Sequence, residues 1–170
     1  MIISKTPYRI SFFGGGTDYP AWFKKNKGQV LSTSIDKFSY LTCRYLPPFF
    51  DHKIKIAYRQ IEHCNKINNI KHPSVREVLK YLRLNTGLEI HHDGDLPARS
   101  GIGSSSAFTV GLLNCLNTYL NINTNKKLLA SQSIFIEQKK IGENVGSQDQ
   151  ICVSYGGFNN IIFNRDGSFK

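Results

Sequence analysis

The residues with the clearest capacity for chemistry lie in the stretch 96–107, where Gly101 and Gly103 flank Ile102 and three serines follow at once. An apolar run at helical spacing begins directly after the serines, which predicts a loop that enters the first turn of a helix. That first turn has unpaired backbone N–H groups and the positive end of the helix dipole, and glycines let a backbone approach a bulky anion closely. The stretch therefore predicts a phosphate-binding loop, in which serine hydroxyls bind phosphate oxygens or ligate Mg²⁺.

A structural alternative for this stretch is a serine that simply caps a helix after a glycine turn. Three consecutive serines are poor helix formers, so packing alone gives no reason for all of them, and phosphate binding is favoured. Two familiar phosphate motifs do not fit. The chain has no Gly-Lys pair, which excludes the P-loop signature, and the dinucleotide fingerprint needs a glycine where Ser106 stands.

A second glycine-rich segment follows residues 8–13, whose β-branched and aromatic side chains predict a strand. Three glycines in a row end this strand, which indicates a place where something approaches the backbone closely. A wide turn is the structural alternative. The functional interpretation is a small-molecule site in which a carboxylate accepts hydrogen bonds from hydroxyl groups. Its candidate residues are Gly15, Gly16, Thr17 and Asp18.

Two acidic residues and two histidines are further candidates, each with a plain structural alternative. Glu137 lies near the end of a predicted helix, where a glutamate is usually solvated, and Asp149 could be a turn or cap residue. His91 and His92 are adjacent on a predicted strand, so their side chains point to opposite faces and a shared metal ion is disfavoured.

The composition is that of a single globular domain with a basic surface. The 170 residues have a formal net charge of +10 and a pI near 9.5, which favours an anionic partner such as nucleic acid, an acidic surface or a phosphorylated small molecule. Four widely spaced cysteines lack any Cys-x-x-Cys pair, which disfavours a zinc site or a disulfide framework and fits a reducing cytoplasm. The apolar amino terminus contains Lys5 and Arg9, so it does not read as a signal peptide, and no apolar run is long enough to cross a membrane.

Hydrophobic periodicity predicts a mixture of strands and helices along the chain. Asp36 and Lys37 are expected to separate two strands, and the Asn-rich stretch 62–71 is expected to be irregular. Pro73 near a first turn, followed by apolar residues at helical spacing, predicts a helix. Other predicted strands cover residues 29–35, 38–46, 54–58, 88–91 and 159–163, and a second long helix covers about 126–141.

Together these segments resemble the GHMP sugar and small-molecule kinases over essentially the whole chain. Residues 97–107 match the family's ATP-phosphate motif in pattern and spacing. Residues 9–20, 136–150 and 156–159 resemble one branch, the D-glycero-D-manno-heptose 7-phosphate kinases, with the L-fucokinases as neighbours.

The resemblance implies an α+β fold like the amino-terminal GHMP kinase domain, with a mixed sheet and helices packed on one side. Residues 1–170 would form this ATP-binding domain. The family's second domain, which carries a third glycine-rich motif and helps to close the active site, is expected to be absent from this chain.

The resemblance also implies a role for each matching residue. Asp149 would accept the proton of the sugar hydroxyl, Arg9 would lower the charge cost at the reacting oxygens, and Asp18 would hold sugar hydroxyls. Ser105 and Glu137 would ligate Mg²⁺. The residues expected to hold the ATP phosphates are Pro97, Gly101, Ile102, Gly103, Ser104, Ser105 and Ser106.

The implied reaction is transfer of the γ-phosphoryl group of ATP to the anomeric hydroxyl of heptose 7-phosphate, in a route to nucleotide-activated heptose for bacterial surface polysaccharide. Three glycines replace the Gly-Glu-His of galactokinases, which argues against galactose, and Ser147 stands where relatives often carry lysine. The implied partners are ATP, Mg²⁺ and a sugar phosphate in the cytoplasm, without nucleic acid or membrane. A homo-oligomer or a complementing carboxy-terminal half stays open.

Three alternatives stay open at this point. A fucokinase-like or other GHMP sugar kinase would use a different sugar. A truncated subunit would bind nucleotide without turnover. A nucleic-acid-binding domain would suit the basic charge and a fold shared with a ribosomal protein domain, but the lysines are scattered rather than clustered on one stretch.

Overall fold

The computed structural model describes residues 1–97 and 100–170. Within these residues the chain forms a mixed sheet with helices, and short 3₁₀ and π segments occupy Ile67–Asn69 and Ile136–Ile141. The strands are β1 (Ile2–Phe13), β2 (Gly28–Tyr45), β3 (Ile54–Ala57), β4 (Ile61–Cys64), β5 (Leu88–Gly94) and β6 (Phe158–Phe163). The helices are α1 (Pro20–Asn26), α2 (Pro73–Tyr81), α3 (Ser104–Tyr119), α4 (Lys126–Phe135) and α5 (Gln148–Tyr155).

The sheet is organised around β2, the longest strand. Its order is β1-β2-β5-β3-β4, and β6 pairs with β2 beside the amino-terminal part of that strand. Residues 28–33 of β2 pair with β6 and residues 39–45 pair with β5, so these two strands lie end to end along the same edge of β2. All these pairings are antiparallel except the one between β3 and β5, which is parallel. The sheet is therefore mixed, as predicted.

The helices cover one face of the sheet, and the core lies between the two layers. The apolar side chains of the central strands alternate with polar ones, so a single face is buried. The opposite face carries the exposed side chains of Ile3 and Arg44. This arrangement confirms the predicted α+β architecture. The buried core residues that join sheet and helices include Leu41, Cys43, Ile56, Leu88, Ile90, Val75, Val78, Leu112, Leu113 and Leu116.

The polar pair Asp36 and Lys37 does not separate two strands, because β2 runs through it without interruption. The register between β1 and β2 shifts here: Pro7 pairs with Phe38, while Arg9 pairs with Ser34. The extra residues of β2 are accommodated as an irregularity in the ladder, which is how a bulge lets a strand continue past residues that do not pair.

The stretch 62–71 is more ordered than its polar composition suggested, since it begins with β4 and contains a 3₁₀ turn. The buried Glu62 carboxylate explains this order. It accepts hydrogen bonds from the Tyr58 hydroxyl (2.7 Å) and from the backbone N–H groups of Lys71 (2.6 Å) and His72 (3.1 Å). A side chain thus pairs the backbone donors that a sheet or helix would otherwise pair.

The helix predicted for residues 126–141 is present, but only its first part is α-helical. After Phe135 the chain widens into a π-helical segment, Ile136–Ile141, which places Glu137 in the interior. Such local widening is often found at functional sites. In the described part of the chain, no helix is both long and apolar enough to cross a lipid bilayer.

Candidate active site

The glycine–serine loop leads directly into α3, as predicted, and its backbone is shaped by left-handed glycines. Gly101 and Gly103 have φ angles of 73° and 74°, which residues with a side chain adopt only with strain. A Cβ atom on Gly103 would lie 3.0 Å from Cγ of Arg9 and 3.7 Å from Oδ2 of Asp149. The loop backbone therefore lies against these two side chains, and a glycine is needed for that approach.

The serines that follow differ in exposure. Ser105 is exposed on the first turn of α3, whereas Ser106 is buried. Among the described residues no side chain caps the amino terminus of α3, so its N–H groups and dipole can receive an anion. At the other end of the loop, the Ser100 hydroxyl donates to the carbonyl oxygen of Pro97 at 2.8 Å.

Arg9 joins this loop to Asp149 with an ion pair of two hydrogen bonds. Its Nε donates to Oδ1 of Asp149 and its Nη2 donates to Oδ2, each at 2.8 Å. Its Nη1 donates to the carbonyl oxygen of Gly101 at 2.9 Å, and its backbone N–H donates to that of Ile102 at 3.0 Å. A planar guanidinium suits this double contact with a carboxylate. The predicted pair of catalytic residues is thus brought together beside the predicted phosphate loop.

The environment of Asp149 sets its protonation. Burial raises the pKa of this carboxyl above its ordinary value, and the Arg9 guanidinium opposes that shift. The side chain of Asp149 keeps 27% of its surface exposed, against 13% for Arg9. The carboxylate is therefore open to a small molecule and has a higher proton affinity than a free aspartate, both of which suit a proton acceptor.

The first turn of α5 connects three parts of the site through three consecutive side chains. Gln148 accepts a hydrogen bond from the Ser11 hydroxyl at 2.6 Å, Asp149 meets Arg9, and the Gln150 amide donates to the Glu137 carboxylate. Sequence reasoning assigned no element to this short helix and no role to either glutamine. The contact between Ser11 and Gln148 had one signal in the sequence: Ser11 lies two residues after Arg9, on the same face of β1.

Glu137 is almost completely buried, with 1% of its surface exposed. Its Oε2 accepts hydrogen bonds from the Gln150 amide and from the Ser106 hydroxyl, the latter at 3.0 Å, and its Oε1 accepts one from Ser133 at 3.5 Å. Burial raises the pKa of Glu137 to about 7, although these hydrogen bonds favour the ionised form. Near neutral pH this buried carboxyl group is therefore partly protonated, and a nearby cation would stabilise its ionised form.

The donor atoms near Glu137 fit a hard cation such as Mg²⁺. Hydroxyl and carboxylate oxygens are the ligands this ion prefers, usually with few protein ligands. Of the two predicted metal ligands, Glu137 faces Ser106, while Ser105 lies on the exposed side of the turn. Sequence reasoning therefore missed Ser106 as the serine that orients the carboxylate.

The predicted substrate segment, residues 15–18, divides into an outer and an inner part. Gly16 has open space where a side chain would lie. Thr17 and Asp18 instead face inward: the Thr17 hydroxyl donates to the Gly14 carbonyl at 2.7 Å, and Asp18 is fully buried. A Cβ atom on Gly15 would lie 3.7 Å from the amide nitrogen of Gln148. Direct contact between Asp18 and sugar hydroxyls stays a prediction, because its oxygens already accept bonds from protein groups.

The adjacent histidines have separate partners, in keeping with their opposite faces. His91 Nε2 pairs with Oε1 of Glu89 at 2.8 Å, and His92 Nε2 pairs with the Ser39 hydroxyl at 3.0 Å. Within residues 1–97 and 100–170, no cluster of three or more His, Cys, Asp or Glu side chains is placed to hold a metal ion.

Replacing Arg9 with Lys is expected to lower the free energy of unfolding by about 1–3 kcal/mol, since one ammonium cannot pair both Asp149 oxygens and the Gly101 carbonyl together. Urea unfolding of the chain measures the change. Arg44→Lys is the matched control, because Arg44 is half exposed and meets a single carboxylate, Glu89. An equal, small effect of both substitutions would contradict the connecting role of Arg9.

Comparison with known proteins provides independent information on this site. D-glycero-alpha-D-manno-heptose 7-phosphate kinase from Campylobacter jejuni is 28% identical over 173 residues, which cover 95% of this chain and 50% of that protein. A galactokinase from Pyrococcus furiosus is 28% identical over 172 residues, which cover 95% of this chain and 46% of that protein. The chain thus spans about half the length of these curated relatives.

Solved structures share the fold. The crystal structure of a D-glycero-D-manno-heptose 1-phosphate kinase from Bacteriodes thetaiotaomicron has a TM-score of 0.88 at 24% identity, covering 100% of this chain and 58% of that one. A mevalonate kinase has a TM-score of 0.74 at 18% identity. Residues 68–157, more than half of the chain, match the family described as GHMP kinases N terminal domain, and this range includes the glycine–serine loop, Glu137 and Asp149. The chain therefore belongs to the GHMP kinase family.

Proposed function

We propose that this chain forms the ATP-binding domain of a Mg²⁺- and ATP-dependent sugar-phosphate kinase acting on D-glycero-D-manno-heptose 7-phosphate. The observation that carries the proposal is the double hydrogen bond between Arg9 and Asp149 beside the carbonyl of Gly101. A carboxylate and a guanidinium thus lie next to the glycine–serine loop, which supports Asp149 as the proton acceptor and Arg9 as a fixed positive charge beside bound phosphate. Phosphoryl transfer depends mainly on such positioning and charge stabilisation.

The nucleotide phosphates would lie along the glycine–serine loop and the amino terminus of α3. No side chain of the described residues caps the start of α3 there, and Ser105 is exposed, so its hydroxyl would meet an oxygen of the triphosphate. The residues assigned to this role are Pro97, Gly101, Ile102, Gly103, Ser104, Ser105 and Ser106.

The chemical step assigned to the site is a direct in-line transfer. The anomeric oxygen of the sugar forms a bond to the γ-phosphorus, the bond from that phosphorus to the bridging oxygen breaks, and ADP leaves. The proton of the sugar hydroxyl passes to the Asp149 carboxylate. Arg9 holds Asp149 in position and supplies positive charge close to the oxygens on which negative charge develops.

Ser105 and Glu137 are the residues that would hold Mg²⁺, and Ser106 and Gln150 would orient Glu137. When bound, this ion neutralises charge on the phosphate oxygens. The raised pKa of Glu137 supports the assignment, because it reflects a buried carboxylate with no positive side chain among its hydrogen-bond partners in the described residues.

Heptose phosphate is favoured as the substrate class by two observations. The heptose phosphate kinases above cover nearly all of this chain, and the net charge of +10 favours a substrate that already carries a phosphate. A galactose-type sugar is the second candidate, since the galactokinase from Pyrococcus furiosus has the same 28% identity to this chain as the heptose 7-phosphate kinase, over 172 residues. A second domain, or a separate polypeptide, would complete the cleft, because those relatives are about twice as long. A reducing, ATP-containing cytoplasm is the proposed compartment.

ADP formation with Mg²⁺ and ATP tests this function. The chain is assayed in parallel with D-glycero-D-manno-heptose 7-phosphate, galactose and L-fucose, both alone and with any polypeptide that completes the cleft. Turnover with the heptose phosphate, but with neither galactose nor L-fucose, supports the proposal. Turnover with one of these neutral sugars instead would assign a different substrate. ATP binding without any turnover would identify a subunit that only binds nucleotide.

A further inference from the structure

Asp18 has an environment that differs from that of a group exposed to substrate. Its surface is 0% exposed, and its Oδ1 accepts a hydrogen bond from the backbone N–H of Gly16 at 3.0 Å. Its Oδ2 accepts one from the backbone N–H of Gln148 at 3.0 Å, and its carbonyl oxygen accepts one from that of Ser147 at 3.2 Å. All these partners belong to the protein, on both sides of the Asp18 carboxylate.

The packing around this carboxylate leaves no space. A Cβ atom on Gly146 would lie 1.8 Å from Oδ2 of Asp18 and 2.5 Å from its Cγ. The backbone just before α5 is therefore pressed against the carboxylate, and a side chain at position 146 could not be accommodated without moving one of the two. The absence of a side chain at Gly146 is what allows Asp18 to reach the first N–H group of α5.

We propose that Asp18 is a positioning residue, whose buried carboxylate fixes the first turn of α5 and thereby sets where Asp149 meets Arg9. The link is short, because Gln148 and Asp149 are adjacent residues. A negative side chain at a helix amino terminus both pairs an N–H group and favours the helix dipole. The proposal gives Asp18 a structural contact with the catalytic helix in place of a direct contact with the sugar.

The side chain of Gln148 provides a second contact, which joins α5 to both Asp18 and β1. The Gln148 amide nitrogen lies 3.4 Å from Oδ1 of Asp18, and its amide oxygen accepts the Ser11 hydroxyl at 2.6 Å. Ser11 is two residues after Arg9 on β1, so strand and helix are joined at both Gln148 and Asp149. Burial is the main cause of the raised pKa of Asp149, and the negative charge of Asp18 raises it further.

The first test needs no ligand. In ¹H–¹⁵N spectra of the full chain, the Nε–H signal of Arg9, assigned by its loss in Arg9→Lys, reports the contact with Asp149. Asp18→Asn is expected to move this signal toward that of a free arginine and to speed hydrogen exchange of the Gln148 amide. The matched control Asp51→Asn, in the exposed turn between β2 and β3, is expected to leave both unchanged. An unchanged Arg9 signal in folded Asp18→Asn would overturn the proposal.

The second test rests on the proposed kinase function. In an active polypeptide, Asp18→Asn is expected to lower kcat by about 100-fold, as a displacement of about 1 Å in a catalytic group can do, and to leave KM for the sugar phosphate near its original value. A rise in KM alone would make Asp18 a substrate ligand and overturn the inference. If the wild-type chain shows no turnover either alone or with a polypeptide that completes the cleft, the proposed function fails, while the Arg9 signal still decides the role of Asp18.

A folded variant is needed for either test. Asp18→Ser is the second variant, because its single, shorter hydroxyl removes the charge and cannot accept from both the Gly16 and the Gln148 N–H groups, as the two carboxylate oxygens do. A far-ultraviolet circular dichroism spectrum like that of the wild type shows that a variant has folded. Displacement of the Arg9 signal in Asp18→Ser supports the proposal, and an unchanged signal overturns it.

Discussion

Replacing Asp149 with Asn is expected to lower kinase turnover by about 1,000-fold, because a neutral amide cannot take the proton of the sugar hydroxyl. Asn has nearly the same shape and its amide oxygen can still accept one of the two Arg9 hydrogen bonds, so the backbone of α5 and the glycine–serine loop should stay in place. Affinity for ATP is therefore expected to change little, since the loop and α3, rather than Asp149, hold the phosphates in the proposed mechanism. ADP release and ATP binding, measured on the same preparation, separate these two effects.

The pH dependence gives this prediction a second readout. Asp149 accepts a proton only when ionised, so turnover should rise as pH increases through its pKa, which burial raises above that of a free aspartate. The Asn variant should lack this rise. Asp51→Asn, an exposed carboxylate in the turn after β2, is the control and should behave as wild type. Full activity of Asp149→Asn would remove the proton acceptor from the mechanism.

Much of the fold could be predicted from local patterns. Residues 8–13, the second half of β1, helices α2 and α3, and the glycine turn before α3 follow from residue type, helical spacing and glycine placement, whereas the first half of β1 was not predicted. The continuity of β2 could not be predicted, because the local sequence at Asp36 and Lys37 is typical of a turn between two strands. The ladder with β1 continues past them through a register shift that only the paired strands determine.

The candidate site was predictable in its charged members and not in its neutral ones. Arg9, Glu137 and Asp149 could be selected from the sequence by motif, and the structure brings Arg9 and Asp149 into direct contact. The glutamines of α5 could not, because an amide side chain in a polar turn has no distinctive pattern. The inward orientation of Asp18 depends on Gly146, which is more than a hundred residues later in the chain and becomes its neighbour only after folding.

Three carboxylates therefore lie in one region with different surroundings. Asp149 faces a guanidinium, Asp18 faces backbone N–H groups, and Glu137 faces two hydroxyls and an amide. Unlike Asp149, Glu137 meets only neutral hydrogen-bond donors among the described residues, so no positive side chain offsets its burial. That difference explains why the pKa of Glu137 rises to about 7, and it makes this residue the best test of the proposed metal site.

Replacing Glu137 with Gln is expected to stabilise the ligand-free fold at pH 8 while lowering turnover. The folded-state pKa of about 7 lies above the ordinary 4.5, so the folded state binds the proton more tightly than the unfolded chain does. The associated stability is fully present below about pH 4.5 and is lost as pH rises through about 7. At pH 8 the loss amounts to about 3 kcal/mol, from about 1.4 kcal/mol per pKa unit, and the uncharged Gln avoids it.

The surroundings can accommodate the substitution. An amide oxygen in the place of Oε2 still accepts from Gln150 and Ser106, and the amide nitrogen in the place of Oε1 can donate to the Ser133 hydroxyl. Urea unfolding at pH 5 and pH 8 measures the effect. The stability of the variant should vary much less with pH than that of the wild type over this range.

Glu77→Gln is a control for which the opposite change in the free energy of unfolding at pH 8 is expected. Although burial works to raise its pKa, hydrogen bonds from Arg76 and Lys80 outweigh that effect and hold the pKa of Glu77 below its ordinary value. Its ionised form therefore stabilises the fold at neutral pH, and the stability is lost as pH falls through the lowered pKa, so Glu77→Gln should weaken the fold at pH 8. If Glu137→Gln weakened it equally at pH 5 and pH 8, the buried charge would not be a source of instability. A gain in stability joined to lost turnover would mean that Glu137 is kept ionisable for the reaction, because the fold alone favours a neutral side chain there.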